Sequence, residues 1–344
     1  MEVVLGFVLV VIAGLGTGTM AWPFKVIKDI RFDQYLLVHI VTGIVVLPWL
    51  LLLIYVPDIK ALIHHIDLKI FFISNFLSMS WGVANVLYLV GVVRIGAALT
   101  GAILSALGMS VGVVMPMILK GSGLFNEAPD LFSKTGLIIT SGLVVILLGL
   151  LIVSKAGFMR EKEFKINKNE LSTSGSFLKG LVLVVVAGIL SSGLSLSFVY
   201  GQDQIIEAVK AQGAGDMIAN VSVWAFYIMG GALVNIIYAV YLMVNREKGS
   251  ESWRKEELLM GFLTGVQFFI AIVSLGSGML FLGALGASIG FGIQQSLQVI
   301  GNQLVGFLGG EWKGVTANSR NMMYLGLIII LIAVLVFAYS NSVN

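Results

Sequence analysis

Fifty-three consecutive residues, Leu258 to Gly310, contain no Asp, Glu, Lys, Arg or His. A helix crosses the hydrocarbon core of a bilayer with about 20 apolar residues. A run this long accommodates two membrane helices and the turn between them, expected near Gly276-Ser277-Gly278. The run is not uniformly oily, because Gln267, Gln294, Gln295, Gln298, Asn302 and Gln303 lie inside it. An amide in lipid is costly unless it meets a partner or a water-filled cavity. So many neutral hydrogen-bonding groups predict the lining of a polar pathway. The solute they suit is polar and uncharged.

The rest of the chain agrees. Charged residues make up 11% and hydrophobic residues 58%, where a soluble domain carries about 25% charged residues. This is a polytopic membrane protein with no stretch left for a sizeable soluble domain. With no Cys and three His, neither a thiolate nor a histidine metal centre is expected. No Ser-His-Asp set and no phosphate loop stands out, so neither an enzyme nor a cofactor is expected. The net charge of +3 is small and sits in loops. It reads as an orientation signal, not a nucleic-acid surface. The first helix opens at Val3 without a basic segment ahead of it, so no cleaved signal peptide is expected.

Ten apolar segments can be placed, roughly 3–21, 35–55, 70–93, 95–119, 136–154, 180–200, 217–244, 258–277, 282–310 and 322–340. Loops after the odd segments hold 16 Lys and Arg, and those after the even segments hold 5. That bias puts the odd loops in the cytoplasm and both termini outside. The polar stretch from Lys155 to Lys179 divides the chain in two. Residues 1–155 form one five-helix unit, 156–179 a cytoplasmic linker loop, and 180–344 a second five-helix unit.

A weak internal repeat supports the division. Ala13-Gly14 pairs with Ala187-Gly188, and Gly82-Val83 with Gly265-Val266. Gly96-Ala97 pairs with Gly286-Ala287, and Lys120-Gly121 with Lys313-Gly314. Five spans per unit turn the second copy upside down, a recurrent transporter plan with its site at the midplane. The expected fold is an all-α integral membrane protein, with ten transmembrane helices as two inverted five-helix repeats. Small residues also recur in any packed set of membrane helices.

The third segment carries Ser74, Ser78, Trp81, Asn85 and Tyr88 on one helical face. Amides and hydroxyls meet the OH groups of a sugar, and an indole packs on the C–H face of its ring. The same residues also serve as glue between helices. In the ninth segment Gln294, Gln298 and Asn302 step by four. Asn235 and Gln267 lie deep in the seventh and eighth. Gly96, Gly101, Gly286 and Gly290 are read as close-packing or bending points. The candidate substrate-binding set is Trp81, Asn85, Tyr88, Asn235, Gln267, Gln294 and Gln298. Proton coupling needs a titratable group near the cavity, and the candidates are His39, Lys25 and Glu311.

Taken in order, a series of short motifs resembles the L-rhamnose–proton symporter family of the drug/metabolite transporter superfamily. It runs Pro23-Phe24-Lys25, Leu47-Pro48-Trp49, Trp81-Gly82 with Asn85 and Tyr88, and Arg94 with Gly96. It continues with Ala156-Gly157, Lys179-Gly180-Leu181-Val182-Leu183, Gly231-Ala232 with Asn235, Gln267-Phe268-Phe269 and Glu311-Trp312. The resemblance implies ten helices in two inverted repeats, a bacterial inner (cytoplasmic) membrane, and proton-coupled uptake of a deoxy sugar. Because the ninth segment carries no charge and no His, the resemblance places no proton-coupling residue there. The expected function is import of a neutral sugar, L-rhamnose foremost, by proton symport through alternating access. The partners are sugar, protons and the lipid bilayer. Two other roles compete. One is an exporter of drugs or other metabolites, which favours a buried carboxylate. The other is a non-transporting membrane sensor, which needs an output domain.

Overall fold

The structure, a computed structural model, describes residues 2–27, 31–95, 97–119, 129–168, 174–246, 253–282 and 290–340. Among the described residues the regular structure is helical throughout. In chain order the longer helices are α1 (Glu2–Gly18), α2 (Phe32–Tyr55), α3 (Leu68–Ile95) and α4 (Ala97–Leu119). Then come α5 (Lys134–Lys168), α6 (Ser174–Ser191), α7 (Gly193–Ala211) and α8 (Asp216–Tyr227). The last four are α9 (Met229–Val244), α10 (Lys255–Phe281), α11 (Phe291–Leu308) and α12 (Ala317–Ser340). Helix occupies most of the described part of each apolar segment read from the sequence, with turns at 19–21, 282 and 309–310 and breaks at Ser192 and Ile228.

By length and composition six helical stretches are able to cross a membrane, and seven if the bent α8–α9 pair is one span. α1 and the Ile103–Leu119 part of α4 are shorter apolar helices. Large apolar side chains point outward along the bundle, among them Leu53, Phe72, Phe76, Leu151 and Leu335. Lipid, not water, is the solvent that tolerates such a surface.

Polar residues set the helix ends. The Asp67 carboxylate accepts from the backbone N–H of Lys69 at 2.7 Å and of Ile70 at 3.1 Å, capping α3. The Ser133 hydroxyl accepts from Gly136 N at 3.0 Å at the start of α5. Within α2, Val41–Val46 forms a wider π-helical turn just ahead of Pro48, where the proline ring cannot join a regular ladder.

The break between α8 and α9 bends the chain by 51°. Backbone groups freed inside a membrane must find partners within the protein. Here Asn75 donates to Phe226 O and accepts from Gly230 N, Ser78 accepts from Gly231 N, and Ser197 donates to Tyr227 O. Gly230 and Gly231 permit this approach, since a Cβ on Gly230 would lie 2.2 Å from Asn75 O. Ser78 of the α3 stripe therefore serves the helix break, together with its neighbour Asn75, while Ser74 is buried with its hydroxyl unpartnered.

Two sequence expectations are corrected. The turn near Gly276-Ser277-Gly278 is continuous helix, because α10 runs on to Phe281. Those small residues are packing surfaces: a Cβ on Gly276 would meet Asn220 Oδ1 at 2.4 Å, and one on Gly278 would meet Val10 at 2.7 Å. The stretch expected as a loop is helical from Lys155 to Lys168 as the end of α5, and α6 starts at Ser174. Its Lys, Arg and Glu are good helix formers. Glu163 also holds this end to the start of α12, accepting from Thr316 N at 2.9 Å and Ser319 Oγ at 2.7 Å.

α1 packs on α10 and α11, while α3 packs on α6, α7 and α9. α2 lies against α9 and α10, α4 against α5, α6 and α11, and α12 against α5 and α11. This arrangement leaves a space between α1, α2, α3, α4, α10 and α11.

Candidate functional site

That space is a cavity of about 230 Å³. From α3 it receives Trp81, Asn85 and Tyr88, and from α11 Gln294, Gln295, Gln298 and Asn302. α1 contributes Thr17, α2 His39, and α4 Ser105. No Asp, Glu, Lys or Arg is among the described residues lining it. Such a wall offers hydrogen bonds and no net charge, which fits a neutral polar solute.

The amides of α11 are held in place by α1. Gln294 Nε2 donates to Thr17 Oγ1 at 2.8 Å and to Gln298 Oε1 at 3.1 Å. Thr17 in turn donates to Ala13 O at 2.9 Å. These bonds use both amide protons of Gln294 and leave its carbonyl, with the Gln298 NH₂, for the cavity. Contact this close needs glycine: a Cβ on Gly14 would lie 2.7 Å from Gln294 O, and one on Gly18 would lie 2.3 Å from Gln298 O. Gln295 Oε1 is buried without a protein partner. A buried polar atom left alone is costly; the side chain borders the cavity, but this oxygen is sealed from it in this arrangement.

On α3, Asn85 Nδ2 donates to Asn235 Oδ1 at 3.2 Å, and Asn235 Nδ2 donates to Gly231 O at 2.9 Å. Asn235 is fully buried and does not line the cavity. It orients Asn85 from behind. Trp81 stacks on Phe268 with centroids 5.9 Å apart and an interplanar angle of 4°, which gives one wall an aromatic surface. Gln267 is turned away from the cavity. It donates to Gly16 O at 2.7 Å and Thr19 Oγ1 at 2.9 Å, and accepts from Trp22 Nε1 at 3.0 Å, tying α10 to the end of α1. Gly101 faces open space and packs against nothing within 4 Å. Gly290 does pack closely, since a Cβ there would lie 2.9 Å from Met279 Cγ. Gly96 and Gly286 lie outside the described residues.

His39 lines the cavity, stacks on Tyr35 with centroids 5.9 Å apart, and meets Phe268 at a tilt of 49° with centroids 5.5 Å apart. Its Nδ1 is 3.1 Å from Thr264 Oγ1, whose own proton goes to Met260 O at 2.8 Å. Thr264 must then accept, so Nδ1 carries the hydrogen and Nε2 keeps its lone pair. Lys25 and Glu311 stand apart from the lining. Glu311 accepts from Lys25, and from Arg160 Nη1 at 2.6 Å. Arg160 lies over the Trp312 ring at 5.1 Å. Partial burial raises the Glu311 pKa, but the two cations outweigh it and hold the carboxyl below its usual value.

Thr17, Ser105 and Gln295 were not singled out from the sequence as binding residues. The signal for Thr17 was its place between Gly14 and Gly18 on a helix that must touch another closely.

A family model described as L-rhamnose-proton symport protein (RhaT) matches residues 1–340. The chain belongs to the L-rhamnose–proton symport protein family. Curated relatives named L-rhamnose-proton symporter occur in Salmonella paratyphi A (strain ATCC 9150 / SARB42) and Salmonella newport (strain SL254). Each is 24% identical over 319 residues, covering 90% of this chain and 90% of the relative. The symporter family is one of multi-pass membrane transporters, not of enzymes. A helical bundle with an outward apolar surface and an uncharged polar cavity is the architecture such a transporter needs.

Proposed function

We propose that the chain imports one neutral sugar, L-rhamnose foremost, together with a proton, by alternating access across a bacterial inner membrane. The observation that carries this is the convergence of Gln294, Gln298, Asn85 and Trp81 on one cavity whose described lining residues include no Asp, Glu, Lys or Arg. Gln294, Gln298, Asn85 and Tyr88 hydrogen-bond the sugar hydroxyls, and the Trp81–Phe268 pair receives the C–H face. Asn235 and Gln267 act through Asn85 and α1. The relatives named as L-rhamnose-proton symporters favour the same substrate.

The moving parts are two inverted repeats, 1–155 and 180–344, joined through 156–179, with ten spans and both termini outside. The packing supports this by reciprocity. α1 on α10 and α11 is matched by α6 on α3 and α4; α3 on α9 is matched by α10 on α2. α4 on α5 is matched by α11 on α12. The halves rock about the shared cavity. His39 carries the coupled proton on Nε2, while Lys25 and Glu311 hold the loops after α1 and α11 together.

Uptake of radiolabelled L-rhamnose into proteoliposomes, with and without an inward proton gradient, tests substrate and coupling together. Gradient-dependent accumulation is expected. Absence of uptake with any neutral sugar overturns the reading. The competing exporter of drugs would place a carboxylate in the cavity, and the described lining residues supply none.

A further inference from the structure

A second concavity of about 690 Å³ lies on the outer face of the bundle between α1, α8 and α10. Its walls include Leu5, Leu9, Val221, Phe269, Val273 and Phe281, and Glu2, Lys210 and Asp216 line it as well. Along α10 it reaches from Phe269 to Phe281. Twelve helical steps at 1.5 Å each span about 18 Å. One leaflet is about half of the roughly 30 Å hydrocarbon core. The groove therefore has the length of one leaflet, with its charged residues beside the ends of α1, α7 and α8, where a headgroup would sit.

An apolar groove of this size facing lipid is best filled by an acyl chain, since unfilled space forfeits dispersion contacts. The charges select the headgroup. Lys210 and Asp216 pair at 2.5 Å and are about half exposed, 47% and 57%. A pair so exposed contributes little and opens readily. One ammonium beside two carboxylates complements a headgroup with one phosphate and one ammonium. A purely anionic headgroup would face the two carboxylates without a cation of its own. We propose that this groove binds a phosphatidylethanolamine: its acyl chain lies along α10, its phosphate meets Lys210, and its ammonium meets Asp216 and Glu2.

The test uses the full chain in detergent, stripped of lipid. It is titrated with phosphatidylethanolamine or phosphatidylglycerol of identical acyl chains, and followed by native mass spectrometry and thermal unfolding. Phosphatidylethanolamine should be retained about tenfold better, the scale of one charge-assisted hydrogen bond. The double variant Lys210→Ala with Asp216→Asn should lose that preference. Ile270→Trp, at an exposed position lining the groove, should weaken retention of both lipids, and Leu5→Trp gives a second filling variant should the first fold poorly. Sugar uptake should be unchanged, because none of these residues lines the solute cavity. Equal retention of the two lipids, a preference that survives the charge variants, or filling variants without effect overturns the proposal in favour of ordinary annular lipid.

Discussion

The rings of Trp81 and Phe268 lie parallel within 4°, with centroids 5.9 Å apart, and join α3 to α10 along one wall of the solute cavity. These helices come from opposite halves of the chain. The aromatic wall therefore exists only while the halves hold this arrangement. Trp81→Leu keeps an apolar filler but loses the stack. An aromatic pair contributes about 0.5–1.5 kcal/mol beyond its buried area, so sugar uptake should show KM raised up to about tenfold. An unchanged KM in initial-rate uptake would remove Trp81 from the site.

Gln298 is the second point of leverage. It accepts from Gln294 at 3.1 Å and offers its NH₂ to the cavity. Gln298→Ala strands a Gln294 proton and removes an amide from the cavity wall, where the proposed site would use it. Each unmet buried bond costs about 1–3 kcal/mol, so the melting temperature should fall by a few degrees, and uptake by about tenfold to a hundredfold. Competition by unlabelled sugar in the same vesicles separates lost binding from lost turnover.

Substitution of His39 tests the proposed coupling role separately from transport. With Nδ1 held by Thr264, only Nε2 is free to take a proton. His39→Gln keeps a polar group of similar reach but cannot be protonated at neutral pH. Gradient-driven accumulation should vanish, while counterflow of labelled against unlabelled sugar persists. Accumulation that survives the substitution would move the proton elsewhere.

The features legible in the sequence were those written as periodicity. Trp81, Asn85 and Tyr88 at steps of 4 and 3, and Gln294 and Gln298 at a step of 4, reach one cavity because helical geometry puts them on one face. Which partner a polar residue takes was not legible. Gln267 has the same chemistry as Gln294, yet it is consumed by Gly16 O, Thr19 and Trp22. Its fate depends on where α1 ends against α10, a tertiary fact. Gly276-Ser277-Gly278 likewise reads as a turn until Asn220 and Val10 are seen to need that space. Lys155–Lys168 reads as loop by hydropathy, although its residues favour helix and its end is held by Thr316 and Ser319.

Gly18 tests the close approach of α1 to α11. An added Cβ would sit 2.3 Å from the Gln298 backbone oxygen, and backbone cannot step aside as a side chain can. Overpacking of this kind costs about 1–3 kcal/mol. Gly18→Ala should lower the melting temperature by several degrees and reduce uptake, because Gln298 must shift. Gly101→Ala, at a position open to the cavity, should leave the melting temperature alone. Equal melting temperatures for the two variants would contradict the packing described.

The Glu311 cluster gives a pH signature. Lys25 and Arg160 hold this carboxyl below the ordinary value, against the opposing effect of burial. A depressed folded-state pKa contributes stability above the unfolded value of about 4.3, and that stability is lost as pH falls through the folded value. Wild-type protein should therefore show a melting temperature that drops in this acid range. Glu311→Gln should melt lower than wild type at neutral pH, with a flatter acid limb, so that the two curves converge as pH falls. The same variant frees the loop after α1 from the loop after α11. Cysteines introduced at Lys25 and Glu311, in a chain that has no other Cys, and joined by a reducible bifunctional thiol reagent long enough to replace the two side chains, should slow sugar uptake, with recovery on reduction. A cross-linked protein that transports at the full rate would show that these loops need not separate.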